Sequence, residues 1–202
     1  MVIFIEILVL LVTILWLKWR KVQYPFLYVG LLILSCLVNR FYFGSFLPDF
    51  TWFLWDFVTL FIVVILGMVF FVVDFIVLNM IKGKVLILDF LYIILKGKLQ
   101  WRVFLLSSFI SVFEELLFRY YMLTSEAMPF ILLLIISSLC FGLVHIFFST
   151  YDIFSKTVLG FVCGILFLLT DHILFPIVFH VTYNLFASKE KSYSMEVGNL
   201  GD

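Results

Sequence analysis

An all-α bundle of membrane-spanning helices is the fold class this sequence predicts, and three observations predict it. Apolar residues make up 65% of the 202, and the mean hydropathy is +1.26. Charged residues reach only 13%, about half the share of a soluble globular domain. The apolar residues also fall into runs near the roughly 17–25 residues that cross a bilayer core, separated by polar punctuation. Formal net charge is zero, so nothing supports nucleic-acid binding. Cys36, Cys140 and Cys163 are too few and too dispersed for a disulfide framework or a thiolate metal site, and read as small buried hydrophobes.

In chain order the predicted spans are residues 2–17, 26–38, 51–80, 101–123, 129–148, 157–170 and 173–186. The first has no basic residues before it and no small-residue cleavage site after it, so it reads as a span and not as a removed signal peptide. Residues 85–95 are flanked by Lys82, Lys84, Lys96 and Lys98. At 1.5 Å per residue they reach only about 16 Å, which predicts an interfacial or re-entrant helix. The sum is about seven transmembrane helices plus one interfacial piece in a single domain, 1–202. A motif-bearing half spans 101–187, and a short polar tail spans 188–202.

Basic residues orient this layout, since cytoplasmic loops carry the excess of Lys and Arg. With the N-terminus outside and the C-terminus inside, eleven of the thirteen fall in the cytoplasm: Lys18, Arg20, Lys21, Lys82, Lys84, Lys96, Lys98, Arg102, Lys156, Lys189 and Lys191. Arg40 falls outside and Arg119 within the membrane. The expected location is a membrane, with the many Phe and Trp residues as lipid contacts and interfacial anchors.

Polar residues at apolar depth are costly, about 2.5–3.5 kcal/mol for each charge near the bilayer centre, and so point to a task. Glu115 and Arg119 are four apart and can pair on one helix face. Glu114 is offset by about 100° and is left to point into a cavity. His145 follows Phe141 by four residues, and His180 and Asn184 share a face of the last span. Counted from the turn near Ser125, Glu114 is about 21 Å and His145 about 25 Å away along antiparallel helices, so they can face each other. Counted from Ile173, His180 lies at about 11 Å and Asn184 at about 17 Å by the same rise.

In a low-dielectric cavity these groups suit water activation. A Glu serves as general base, a His positions the water or carries protons, and a second His with an Asn donates to a developing oxyanion. The alternative is a metal, with zinc held by Glu114, His145 and His180, although the HExxH signature is absent. Asp74, deep in the third span, reads as a cavity acid, a relay group or a buried partner for a backbone group or Asn79. His172 beside Asp171 reads as a wet interfacial residue, and Gly160 with Gly164 as a helix-packing pair.

Three ordered motifs, EExxxR at Glu114, Glu115 and Arg119, FxxxH at Phe141 and His145, and HxxxN at His180 and Asn184, resemble those of the CAAX prenyl protease and bacteriocin-processing (Abi) family of intramembrane endopeptidases. The resemblance covers roughly residues 104–186. It implies that Glu114 activates water together with His145, that Glu115 and Arg119 support them, and that His180 and Asn184 stabilise the oxyanion. It also implies a metal-free mechanism, so no cofactor is favoured. Tyr120 stands where the family often has Gly.

The expected function is therefore an intramembrane endopeptidase acting in the bilayer on a peptide, a lipid-modified protein or a membrane protein. Bacteriocin or pheromone precursors are the favoured class and CAAX tails the second. A non-proteolytic immunity or accessory protein of a membrane complex, and a proton-coupled transporter using Glu114, Glu115 and Asp74, are the rival readings.

Overall fold

The computed structural model describes residues 2–20, 25–43, 54–81, 97–125, 128–146 and 149–198, which form helices and short connecting turns, with no strand among them. The helices are α1 (Val2–Trp19), α2 (Pro25–Phe43), α3 (Leu54–Ile81), α4 (Trp101–Glu115), α5 (Phe130–Leu143), α6 (Thr150–Thr170) and α7 (Leu174–Gly198). A π-helical turn, Leu116–Tyr121, continues α4. The segment 85–95, expected to be interfacial, lies outside the described residues. Trp55–Ile81 and Thr150–Thr170 are long and apolar enough to cross a bilayer.

Contacts divide the chain into two units. The first comprises Met1–Trp52 and Val112–Ile177, and the second Phe53–Ser111 and Val178–Asp202. In the first, α1 buries Ile3, Ile7, Leu10, Ile14 and Leu17, a spacing of three and four that makes one face, and it packs on α2. The other side of α1 exposes Ile5, Leu8, Val12, Leu15 and Trp16. A helix apolar all round with such an outward face is suited to lipid.

Among the described residues α5 packs closely along α6, and glycine makes it possible. A Cβ on Gly142 would lie 1.9 Å from Thr157 Oγ1 and 2.6 Å from the Ile153 carbonyl oxygen, so only hydrogen fits there. The second unit is held by aromatic packing between α3 and α7, with Phe70 edge-on to Phe179 at 5.7 Å and Phe71 stacked on Phe186 at 5.6 Å.

Several helices differ in extent from the sequence-based expectation, α2 among them, which runs to Phe43 and not to 38. α6 begins at Thr150 and not at 157, because the Ser149 hydroxyl accepts the Asp152 N–H at 3.1 Å and caps the helix ahead of its apolar run. α5 ends at Leu143, before His145, and residues 144–146 form a turn. The span 101–123 is not one continuous α-helix, since it widens into the π turn directly after Glu115. α7 continues to Gly198, so the polar tail from 188 is helical that far.

Gly142→Ala is expected to lower the melting midpoint in detergent by an overpacking cost of about 1–3 kcal/mol. Gly30→Ala, whose added Cβ meets nothing within 4 Å, is expected to leave the midpoint in place or raise it slightly. Equal midpoints for the two variants contradict the close α5–α6 contact.

Candidate active site

The first unit carries a buried ion pair. Arg119 Nε lies 3.1 Å from Glu115 Oε2, and both side chains have no exposed surface. The residues are one turn apart, as their spacing implied, but Arg119 sits in the π turn. The Phe118 carbonyl of that turn accepts a hydroxyl hydrogen bond from Ser137 of α5 at 2.6 Å.

The guanidinium group lies over the Phe141 ring, 4.3 Å from its centroid. Its Nη1 and Nη2 have no hydrogen-bond partner among the described residues, so the aromatic face adds to the compensation that the Glu115 carboxylate gives the delocalised charge. Gly160 makes room, because a Cβ on it would come within 2.9 Å of Phe141 Cδ1 and 3.0 Å of Arg119 Nη2. The family-like FxxxH phenylalanine thus supports the arginine of the first motif. The buried Cys163 thiol lies 3.9 Å from the Pro176 carbonyl oxygen, to which it donates, and otherwise packs as the small buried residue expected of it. Tyr120, in place of the family's frequent Gly, packs edge-on against Tyr121 and Phe167 at 5.2 and 6.5 Å.

Glu114 is 2% exposed, and its Oε1 lies 3.8 Å from His145 Nε2. The ring orientation of His145 has a clear cause. Its Nδ1 is 2.9 Å from the Phe141 carbonyl oxygen, which can only accept, so Nδ1 carries the proton and donates. Nε2 is then the nitrogen turned to the carboxylate. A separation of 3.8 Å is too long for a direct hydrogen bond and is one that a water touching both groups can bridge. Termination of α5 at Leu143 contributes, since it puts His145 in a turn and not on the helix face expected for it.

Tyr28 of α2 donates its hydroxyl hydrogen to Glu114 Oε1 at 2.5 Å. No motif contains this residue. Its only trace in the sequence is position, since Tyr28 shares a face with the buried Leu32, Cys36 and Asn39.

His180 and Asn184 stand in the second unit, on α7. His180 is buried, and the Asn184 side-chain amide donates to Ser111 Oγ at 2.8 Å. Asp74 accepts the Tyr183 hydroxyl hydrogen at 2.7 Å, whereas Asn79 turns back to the Phe75 carbonyl at 2.8 Å. Asp74 is thus held by a tyrosine of α7 and not by Asn79. His172 has a local role, with its Nδ1 receiving the Leu174 N–H at 3.4 Å as α7 begins. Among the described residues no three His, Cys, Asp or Glu side chains converge as a metal-binding group.

Fold and site together define a class: a helical protein, with two helices long and apolar enough to cross a membrane, that sets a buried carboxylate beside an imidazole. Residues 96–186 match the family model described as Type II CAAX prenyl endopeptidase Rce1-like. The match spans all three motifs and bears out the CAAX-protease resemblance over that stretch. Neither the curated proteins nor the solved structures contain a match to the chain.

Replacing Arg119 by Met leaves the Glu115 carboxylate buried without its cation, and the expected loss of stability is about 3–5 kcal/mol. The double variant Glu115→Leu with Arg119→Met is expected to recover most of the folded yield, because both charges leave together. Size-exclusion yield and thermal melting read this out, and a double variant no better than the single one contradicts a structural ion pair.

Proposed function

We propose that the protein is an intramembrane endopeptidase in which Glu114 and His145 activate the attacking water. One observation carries this reading: a 2%-exposed carboxylate and an imidazole nitrogen face each other at 3.8 Å, with the imidazole oriented by a backbone carbonyl. A water between them has an acceptor on each side. Glu114 takes a proton as the water oxygen adds to the scissile carbonyl, and the proton then passes to the departing amine as the C–N bond breaks. Exclusion of bulk water by the apolar helices strengthens each electrostatic contact in the site.

The oxyanion role of His180 and Asn184 is part of the proposal and rests on the motif alone. So is the bilayer topology of about seven spans, with the N-terminus outside. Zinc held by Glu114, His145 and His180 is the other chemistry the residue set allows, and a chelator distinguishes the two. For substrate, the proposal takes prenylated CAAX peptides ahead of the bacteriocin or pheromone precursors that the sequence reading favoured, and the wording of the family description supports that order. A lipid-modified chain end suits a site enclosed by apolar helices.

The test is cleavage by protein reconstituted in liposomes, with farnesylated and geranylgeranylated CAAX peptides and precursor peptides as substrates. Glu114→Ala and His145→Ala are each expected to lose cleavage by at least about a hundredfold while folding normally. Wild-type activity is expected to persist under a strong chelator. Loss under chelator moves the mechanism to a metal, and full activity of Glu114→Ala overturns the proposal.

A further inference from the structure

The stretch that resembles the endopeptidase family begins near residue 96, yet two ties to the proposed dyad come from helices well before it. From α2, Tyr28 donates to Glu114 Oε1. From the end of α1, Lys18 donates to the carbonyl of Ile146, the residue that follows His145. The register of α2 is held independently of Tyr28, since the buried Cys36, two turns on, puts its thiol 3.6 Å from the Phe113 carbonyl oxygen. Thus α2 meets the residue before Glu114 and the carboxylate itself, while α1 meets the turn that carries His145.

We infer that Tyr28 is a positioning residue for Glu114, and that the α1–α2 pair is a working part of the active site. A glutamate side chain turns about three bonds, and a buried one with an unfixed carboxylate spends part of its time in rotamers that face no water. The phenol holds Oε1, the oxygen that also faces His145 Nε2, and so selects the rotamer in which base and imidazole address the same point. A phenol suits the task because, when neutral, it brings a donor without a second charge. This inference rests on Glu114 being the base.

The experiment has two readouts on full-length protein in liposomes. Infrared difference spectra, wild type minus Glu114→Gln, define the carboxyl band of Glu114, with no substrate needed. In Tyr28→Phe that band is expected to shift as the hydrogen bond is lost, and kcat on the cleaved peptide is expected to fall about tenfold with KM unchanged. Tyr28→Met, also lacking the hydroxyl, is expected to behave alike. Leu27→Ala, at an exposed neighbouring position, is expected to move neither readout. An unmoved band in both Tyr28 variants overturns the contact. A shifted band with unchanged kcat overturns the positioning role. Should Glu114→Gln itself cleave normally, it is the reading of Glu114 as base that fails, and the band still reports on Tyr28.

Discussion

The Glu115–Arg119 ion pair is the constraint on which the rest of the first unit depends. Two opposite charges buried among apolar helices at 3.1 Å are tolerable only together, since either alone is a buried charge without compensation. Their mutual hold dictates what surrounds them. The guanidinium needs an aromatic face, and Phe141 supplies it. That face and the guanidinium need space, and Gly160 supplies it by lacking a side chain. Arg119 projects from the π turn to both the carboxylate and the ring, and Ser137 ties the same turn to α5 through the Phe118 carbonyl.

Once the pair is locked, the neighbouring carboxylate has little choice of direction. Glu114 is one residue before Glu115 and therefore projects about 100° away, toward Tyr28 and His145 and not toward the arginine. On the proposed mechanism the adjacent carboxylates divide the labour, one tied to a cation and structural, the other held by a phenol opposite an imidazole and chemical. Phe141 links the two tasks, because its ring carries the arginine while its carbonyl sets the His145 tautomer. The FxxxH spacing follows from that double duty: a histidine four residues on can reach back to the carbonyl one turn behind.

Much of this was legible in the sequence. Composition and hydropathy alone indicated an all-helical chain, of which two helices are long and apolar enough to cross a bilayer, and helical spacing anticipated the Glu115–Arg119 pair and the meeting of Glu114 with His145. What hydropathy could not read were polar groups that act on the backbone. Ser149 starts α6 seven residues before its apolar run, and the turn at 144–146 ends α5 early, because caps and turns are written in single residues and not in averages. The π turn left no trace in the periodicity, since six residues cannot separate one repeat from another. Tyr28 escaped because one tyrosine in an apolar helix looks like any interfacial aromatic until its partner, 86 positions away, is known. The mutual arrangement that would let His180 and Asn184 join Glu114 was never in the motif spacing.

The division of labour between adjacent carboxylates is the central claim, and isosteric amides test it most directly. Turnover per mole of folded protein is measured for Glu114→Gln and Glu115→Gln in the same liposomes, beside peptide binding and thermal melting. The account predicts that Glu114→Gln melts and binds like wild type but loses turnover by about a hundredfold or more, whereas Glu115→Gln melts lower and keeps turnover in the molecules that fold. The reverse pattern, or equal loss of turnover in both variants at wild-type stability, contradicts it.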